Sequence, residues 1–300
     1  MSLLDWLIVR GLPLVPRAIV GRVASRYVAG ETLDDALRAS AELAREGAMA
    51  TLDLLGEEVV ERAKAAATAA EYERMLDAIA ERGLPANVSI KPTALGLEID
   101  DALFRAHLER VFAAAGRHGN FVRIDMEDAT TTEATLAAYR ELQPRFPQIG
   151  IVLQAYLRRT LADIDALPHA GANVRLCKGI YIEPRAIAFE EYGTVRLNYL
   201  AALEKLLARG VYTAIATHDE HLVCGALALL DRLRVPRERY EFQMLLGVEP
   251  ELRRILLAAG HRLRVYVPFG RDWYPYSIRR LRENPQVARH VLRALVGRSR

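Results

Sequence analysis

What this chain has little of narrows its class first. Only Cys177 and Cys224 occur in 300 residues. Without a CxxC pair there is no disulfide framework, which fits a reducing compartment. No apolar run is long enough to span a bilayer, because Asp5, Arg10, Arg17 and Arg22 interrupt the only candidate region. No small-residue cleavage site follows an apolar core, so no signal peptide is expected. A GxGxxG turn, a Walker loop and a GxSxG elbow are all missing. So are low-complexity tracts and nucleic-acid motifs. No Ser-His-Asp or Cys-His arrangement can be placed.

What is present is ample core material and an uneven charge. Hydrophobic residues make up 51% of the chain. The net charge is only +3, yet Leu252 to Arg300 holds twelve Arg against Asp272 and Glu283. A basic C-terminal segment points to an anionic ligand, substrate or surface, or to a solvated basic face.

Met1 to Val28 is apolar and basic, and Gly11, Pro13 and Pro16 break it into two short helical pieces. Trp6 with Leu3, Leu4, Leu7 and Ile8 forms an apolar face that packs on its own domain or lies in a membrane interface. Thr32 and Asp35 resemble a capping box, which starts a helix over Leu33–Glu46 that Gly47 stops. Residues 1–46 read as an N-terminal helical arm, and 47–300 as a second, larger unit.

From residue 48 strands and helices alternate. Strands are expected at Ala48–Leu55, Asn87–Lys91, Phe121–Met126, Gly150–Ala155, Asn173–Lys178, Tyr212–Thr217, Tyr240–Leu245 and Leu263–Val267. Helical spacing fills the gaps, as in Ala102–Ala115 and Thr132–Arg145. The strands are apolar runs, as a parallel sheet covered by helices requires. Eight such units predict a (β/α)8 TIM-type barrel. A doubly wound sheet is the alternative, disfavoured by the unit count and the lack of a glycine-rich first turn.

The eighth strand is expected to stop at Pro268 and Gly270. Asp272 then caps a helix that Asn284 and Pro285 end. Tyr276, Arg279, Arg280 and Glu283 fall on one face of it. Paired arginines suit bidentate capture of a carboxylate or phosphate. The plainer alternative is a solvated basic helix with an i, i+4 ion pair.

A barrel builds its active site at the C-terminal strand ends. The polar residues expected there are Asp53, Lys91, Asp125, Glu127, Gln154, Tyr156, Arg175, Lys178, Thr217, His218, Gln243 and Tyr266. Lys91, Arg175, Lys178, Arg279 and Arg280 suggest a positive rim and anionic ligands. Lys178 beside Gly179 suits a phosphate. His218-Asp219-Glu220-His221 has metal-ligand residue types, but a strand-to-loop position does not fix both imidazoles on one side.

SIKPTALG (89–96), RIDMED (123–128), VLQAYLRR (152–159), VRLCKGIY (174–181), IATHD (215–219), EFQML (241–245) and YSIRRLREN (276–284) resemble proline dehydrogenase. The order agrees from about residue 48 to 284. With no aldehyde dehydrogenase module and no ribbon-type DNA-binding arm, the short monofunctional bacterial form is expected. The resemblance implies FAD-dependent oxidation of L-proline to 1-pyrroline-5-carboxylate, with hydride passing from C5 to flavin N5. Electrons then pass to a membrane quinone. The expected location is cytoplasmic, peripheral at the inner face of the membrane through the N-terminal arm.

By the family pattern Asp125 and Arg175 are catalytic. Lys91, Leu245, Tyr266, Tyr276, Arg279, Arg280 and Glu283 bind substrate. Met126, Gln154, Arg175, Lys178, Gly179, Ile180, Thr217 and His218 hold the cofactor. No metal and no nucleic acid is implied. Two other readings stay open: a metal-dependent barrel hydrolase or isomerase using Asp125, His218 and His221, and a non-catalytic flavin or amino-acid sensor.

Overall fold

The structure, a computed structural model, describes residues 20–21, 24–168 and 171–283, with side chains through Ile278. Eight parallel strands close into a barrel in sequence order. They are β1 (Met49–Leu54), β2 (Ala86–Ile90), β3 (Val122–Ile124), β4 (Ile149–Gln154), β5 (Asn173–Cys177), β6 (Tyr212–Ala216), β7 (Tyr240–Leu245) and β8 (Leu263–Phe269). The last strand pairs with the first, placing Asp53 opposite Pro268 and Leu54 opposite Phe269. All eight expected strands are present, most within a residue of their expected bounds. The third is shorter, so Asp125 and Glu127 lie just beyond its end.

Before β1 comes α1 (Leu33–Arg45). Between the strands run α2 (Arg62–Glu81), α3 (Asp101–Arg117), α4 (Ala129–Leu142), α5 (Thr160–Asp165), α6 (Tyr192–Ala208), α7 (Glu220–Arg232) and α8 (Pro250–Ala258). Their buried faces follow helical spacing: α2 turns Ala65, Ala69, Tyr72, Met75, Leu76 and Ile79 inward. The N-caps Asp128 of α4 and Asp219 of α7 follow directly on Glu127 and His218. One short turn therefore both starts the helix and presents the strand-end residue.

The expected capping box is formed: the Thr32 side chain accepts from the Asp35 N–H, and the Asp35 side chain accepts from the Thr32 N–H. α1 packs against β8 and β1, where the ring closes, and Ala36, Leu37 and Leu43 belong to the main core. The last helix, α9 (Trp273–Glu283), begins directly after Asp272. Its Trp273 and Tyr276 pack on Val28 and Leu55, and the Trp273 indole N–H donates to Glu31 at 2.9 Å.

β8 corrects one expectation. It runs through Pro268 to Phe269 rather than stopping at Val267. Proline lacks only the donor. Its carbonyl still accepts from the Ala29 N–H at 2.9 Å, and the Phe269 carbonyl accepts from the Leu55 N–H at 2.8 Å. Gly270, at φ +131°, makes the exit turn.

Candidate active site

Period-two alternation decides which side chains enter the barrel. On β2 it directs Ser89, and just past the strand Lys91, toward the axis; β7 does the same with Glu241 and Gln243, and β8 with Arg264 and Tyr266. These meet Asp53 from β1, Asp125 from the end of β3 and Arg175 from β5. All of Asp53, Ser89, Lys91, Asp125, Arg175 and Gln243 are buried.

Asp125 is the hub. Its Oδ1 accepts from Arg175 NH1 at 2.7 Å and Ser89 Oγ at 3.0 Å. Its Oδ2 accepts from the Tyr266 hydroxyl at 2.8 Å and Lys91 Nζ at 3.1 Å. Burial pushes the carboxyl up, but the Lys91 and Arg175 charges with the Tyr266 bond hold it below the usual range. Lys91 also donates to Asp53 at 3.2 Å. Burial works against its ammonium, yet Asp53, Tyr266 and Asp125 raise it well above the ordinary lysine value. Burial and the Asp125 charge raise the Tyr266 phenol, which stays protonated.

Arg175 is held on a third side. Its Nε donates to Gln243 Oε1 at 2.6 Å, and its NH2 donates to Ser89 at 3.0 Å. The Gln243 amide donates in turn to Glu241, which pairs with Arg264 at 2.8 Å. Neither Ser89 nor Glu241 carries a role in the sequence reading. Alternation along β2 and β7 is the signal that finds them.

Next to the hub, Gln154 Nε2 donates to the carbonyls of Met126 and Glu127 at 3.0 and 2.8 Å. Its Oε1 is buried and accepts no bond. Gly179 has φ +106°, and a Cβ there would run into the Tyr156 ring. Ile180 beside it is half-buried. Lys178 donates to Asp219 at 3.3 Å and to the Tyr192 hydroxyl at 3.0 Å, and Arg196 forks onto Asp219 at 2.9 and 2.7 Å. Asp219 is thereby held below the usual carboxylate range although burial opposes it. Thr217 Oγ1 accepts from the Asp219 N–H at 3.1 Å, and His218 Nε2 accepts from the Leu245 N–H at 2.8 Å.

The positive rim expected from the sequence is not carried by Lys91, Arg175 and Lys178. Each rests on a carboxylate: Asp53 and Asp125, Asp125, and Asp219 respectively. The side chains of Arg279, Arg280 and Glu283 lie outside the described residues. Tyr276 is buried with Val28 and Leu55. Among the described residues no group of three or more His, Cys, Asp or Glu is arranged to hold a metal ion.

The family model for proline dehydrogenase matches residues 36–293. The chain belongs to the proline dehydrogenase family. It is 38% identical over 273 residues to proline dehydrogenase 1 of Bacillus subtilis subsp. natto, covering 91% of this chain and 90% of that one. It is 36% identical over 279 residues to proline dehydrogenase of Deinococcus radiodurans, covering 91% and 90%. Among solved structures it is similar to proline utilization A (PutA) from Bdellovibrio bacteriovorus inactivated by N-propargylglycine. The TM-score is 0.82 and the identity 27%, over 88% of this chain but 32% of that longer one.

The residues suit the flavin that the proline dehydrogenase resemblance implies. The orphaned Gln154 Oε1 is an acceptor in need of an N–H donor, which an isoalloxazine ring has. Lys178 and Arg196, gathered on Asp219 beside the Gly179 turn, offer N–H donors to a polar tail.

Proposed function

We propose that this site oxidises L-proline to 1-pyrroline-5-carboxylate with FAD. The observation that supports this best is the buried Asp125 hub in a chain of this family. Bound FAD supplies the two-electron acceptor. Gln154, Met126, Lys178, Gly179, Ile180, Thr217 and His218 hold it, with Arg175 against it.

Asp125 is a fixed anion, because four donors occupy its two oxygens. It orients Arg175, Lys91 and Tyr266 rather than taking a proton. Lys91, held as an ammonium, cannot take the proton of the substrate amine either. Neither group takes the amine proton, and the neutral amine is the form that reacts. Arg279 and Arg280, supported by Glu283, clamp the carboxylate, while Tyr266, Tyr276 and Leu245 wall the ring. Fixing a rigid ring at one end removes much of the entropic barrier to reaction at the other. Electrons leave to a membrane quinone from a cytoplasmic enzyme, and Met1–Val28 gives peripheral contact. No helix among the described residues is long and apolar enough to cross a membrane. Most of Met1–Val28 lies outside the described residues.

L-proline added without oxygen should bleach the flavin band of the purified protein. A colourless preparation that takes up no added FAD would overturn the reading. Liposome flotation that is equal with and without residues 1–28 would count against the membrane contact.

A further inference from the structure

Below Arg175 a second hydrogen-bonded chain runs toward the floor of the barrel. Arg264 on β8 donates to the Ala50 carbonyl of β1 at 2.8 Å, and to Glu241 on β7 at 2.8 and 3.3 Å. The Tyr212 hydroxyl of β6 donates to Glu241 at 3.0 Å. Burial pushes this carboxyl up, but Arg264 and its hydrogen bonds bring it down to about 2. Glu241 is therefore an acceptor only.

Two residues further along the strand, Gln243 Nε2 donates to Glu241 Oε1 at 2.6 Å, and its Oε1 accepts from Arg175 Nε at 2.6 Å. The amide has one orientation that satisfies both neighbours. A carboxylate cannot donate to it and a guanidinium cannot accept from it, so a flip would break both bonds. Gln243 is buried, so neither bond has water as a substitute.

We propose that Gln243 is the positioning residue for Arg175: a neutral link that passes the fixed geometry of the Arg264–Glu241 pair to the guanidinium while keeping the Glu241 charge off it. This rests on the reading of Arg175 as the residue lying against the flavin. Without the link, the hydrogen bonds left to Arg175 are those to Asp125 and Ser89, with the Tyr266 ring 5.2 Å from the guanidinium.

Glutamate at this position makes the idea testable. Protonated, it reproduces the amide, with its O–H toward Glu241 and its carbonyl toward Arg175. In that state the two carboxyl groups share one proton; losing it sets two carboxylates at hydrogen-bond distance, so the pair gives it up at higher pH than a lone glutamate. The other charged or titratable groups facing this point are Arg264, Tyr212, Arg123, Arg175 and Asp125.

The experiment compares wild type, Gln243→Glu and Gln243→Met holoenzyme in two measurements across pH. One is the flavin midpoint potential by dithionite titration, which needs no proline. The other is kcat/KM for proline. Gln243→Glu should show one ionisation that wild type lacks, in both measurements. On its alkaline side the potential and kcat/KM both fall, because added negative charge at Arg175 disfavours electron uptake. Gln243→Met should lower kcat by about tenfold, shift the potential, and keep the wild-type pH profile. A Gln243→Glu curve that runs parallel to wild type in potential, or a Gln243→Met curve that coincides with it, would overturn the proposal. If Gln243→Glu does not fold, an unchanged potential in Gln243→Met overturns it alone. A wild-type flavin that proline does not reduce would instead sink the substrate reading, while the dithionite arm still reports on Gln243.

Discussion

Asp125, just past the end of β3, and Arg175 on β5 meet inside the barrel, with NH1 2.7 Å from Oδ1. Fifty residues of chain separate them, and both are buried. The pair fixes the guanidinium on one side and leaves Oδ2 to gather Lys91 and Tyr266.

Asp125→Asn should therefore be severe. An amide replaces one accepting oxygen with a donor, and Lys91 or Arg175 is left under-compensated in the interior. Breaking a buried pair in this way costs about 3–5 kcal/mol. Urea unfolding should show that loss, with kcat/KM for proline falling alongside it. A variant with wild-type stability and turnover would mean that the hub is dispensable.

Arg279→Met and Arg280→Met test the carboxylate clamp. Removing one partner of a desolvated charge pair costs about 2–5 kcal/mol. At about 1.4 kcal/mol per tenfold, kcat/KM should drop roughly 30- to 3000-fold. FAD content should survive, and lysine should rescue poorly because a point charge does not replace a planar fork. Steady-state kinetics decide it: wild-type-like turnover in both variants returns α9 to an ordinary basic surface.

Glu127 should make stability fall as pH rises toward neutrality. Burial raises its carboxyl to about 7, against the pull of the Thr93 N–H and hydroxyl at 2.8 and 2.6 Å. The folded state thus binds a proton that the unfolded chain releases near the ordinary value of 4.5. The stabilisation is complete below that value and is lost as pH climbs through about 7. The size of the effect is about 3 kcal/mol. Urea midpoints at pH 5 and pH 8 should differ by correspondingly less in Glu127→Gln than in wild type. Equal differences in the two proteins would refute the assignment.

Gly179→Ala should damage the cofactor side. Its φ of +106° is strained for any residue with a Cβ, and that atom would meet the Tyr156 ring. The backbone term alone is about 1–3 kcal/mol. The measurable result is lower FAD content after dialysis, together with a lower Tm. Full retention of FAD at unchanged Tm would show that the turn relaxes freely.

The barrel is legible in the sequence. Hydrophobic runs and helical spacing are local, and eight alternations of them leave few ways to bury every face. The ends of those strands likewise name Asp53, Lys91, Asp125, Arg175 and Gln243, which the barrel brings together. The sequence places the stop at Val267, but proline's missing donor matters only where the ladder needs it, and at Pro268 only the carbonyl is used.

Charge balance was not legible. In one dimension Lys91, Arg175 and Lys178 count as excess cations. Closure of the ring sets Asp53, Asp125 and Asp219 against them, and pairing across strands depends on register and closure rather than on spacing along the chain. The same holds for Gln243. Its sequence neighbours say only that it lies on a strand. Closure of the sheet around the axis is what puts its amide between Glu241 and Arg175. Sequence determined the elements and the inventory of functional groups; tertiary structure decided which of those groups neutralise one another, because electrostatic interaction falls with distance through space, not along the chain.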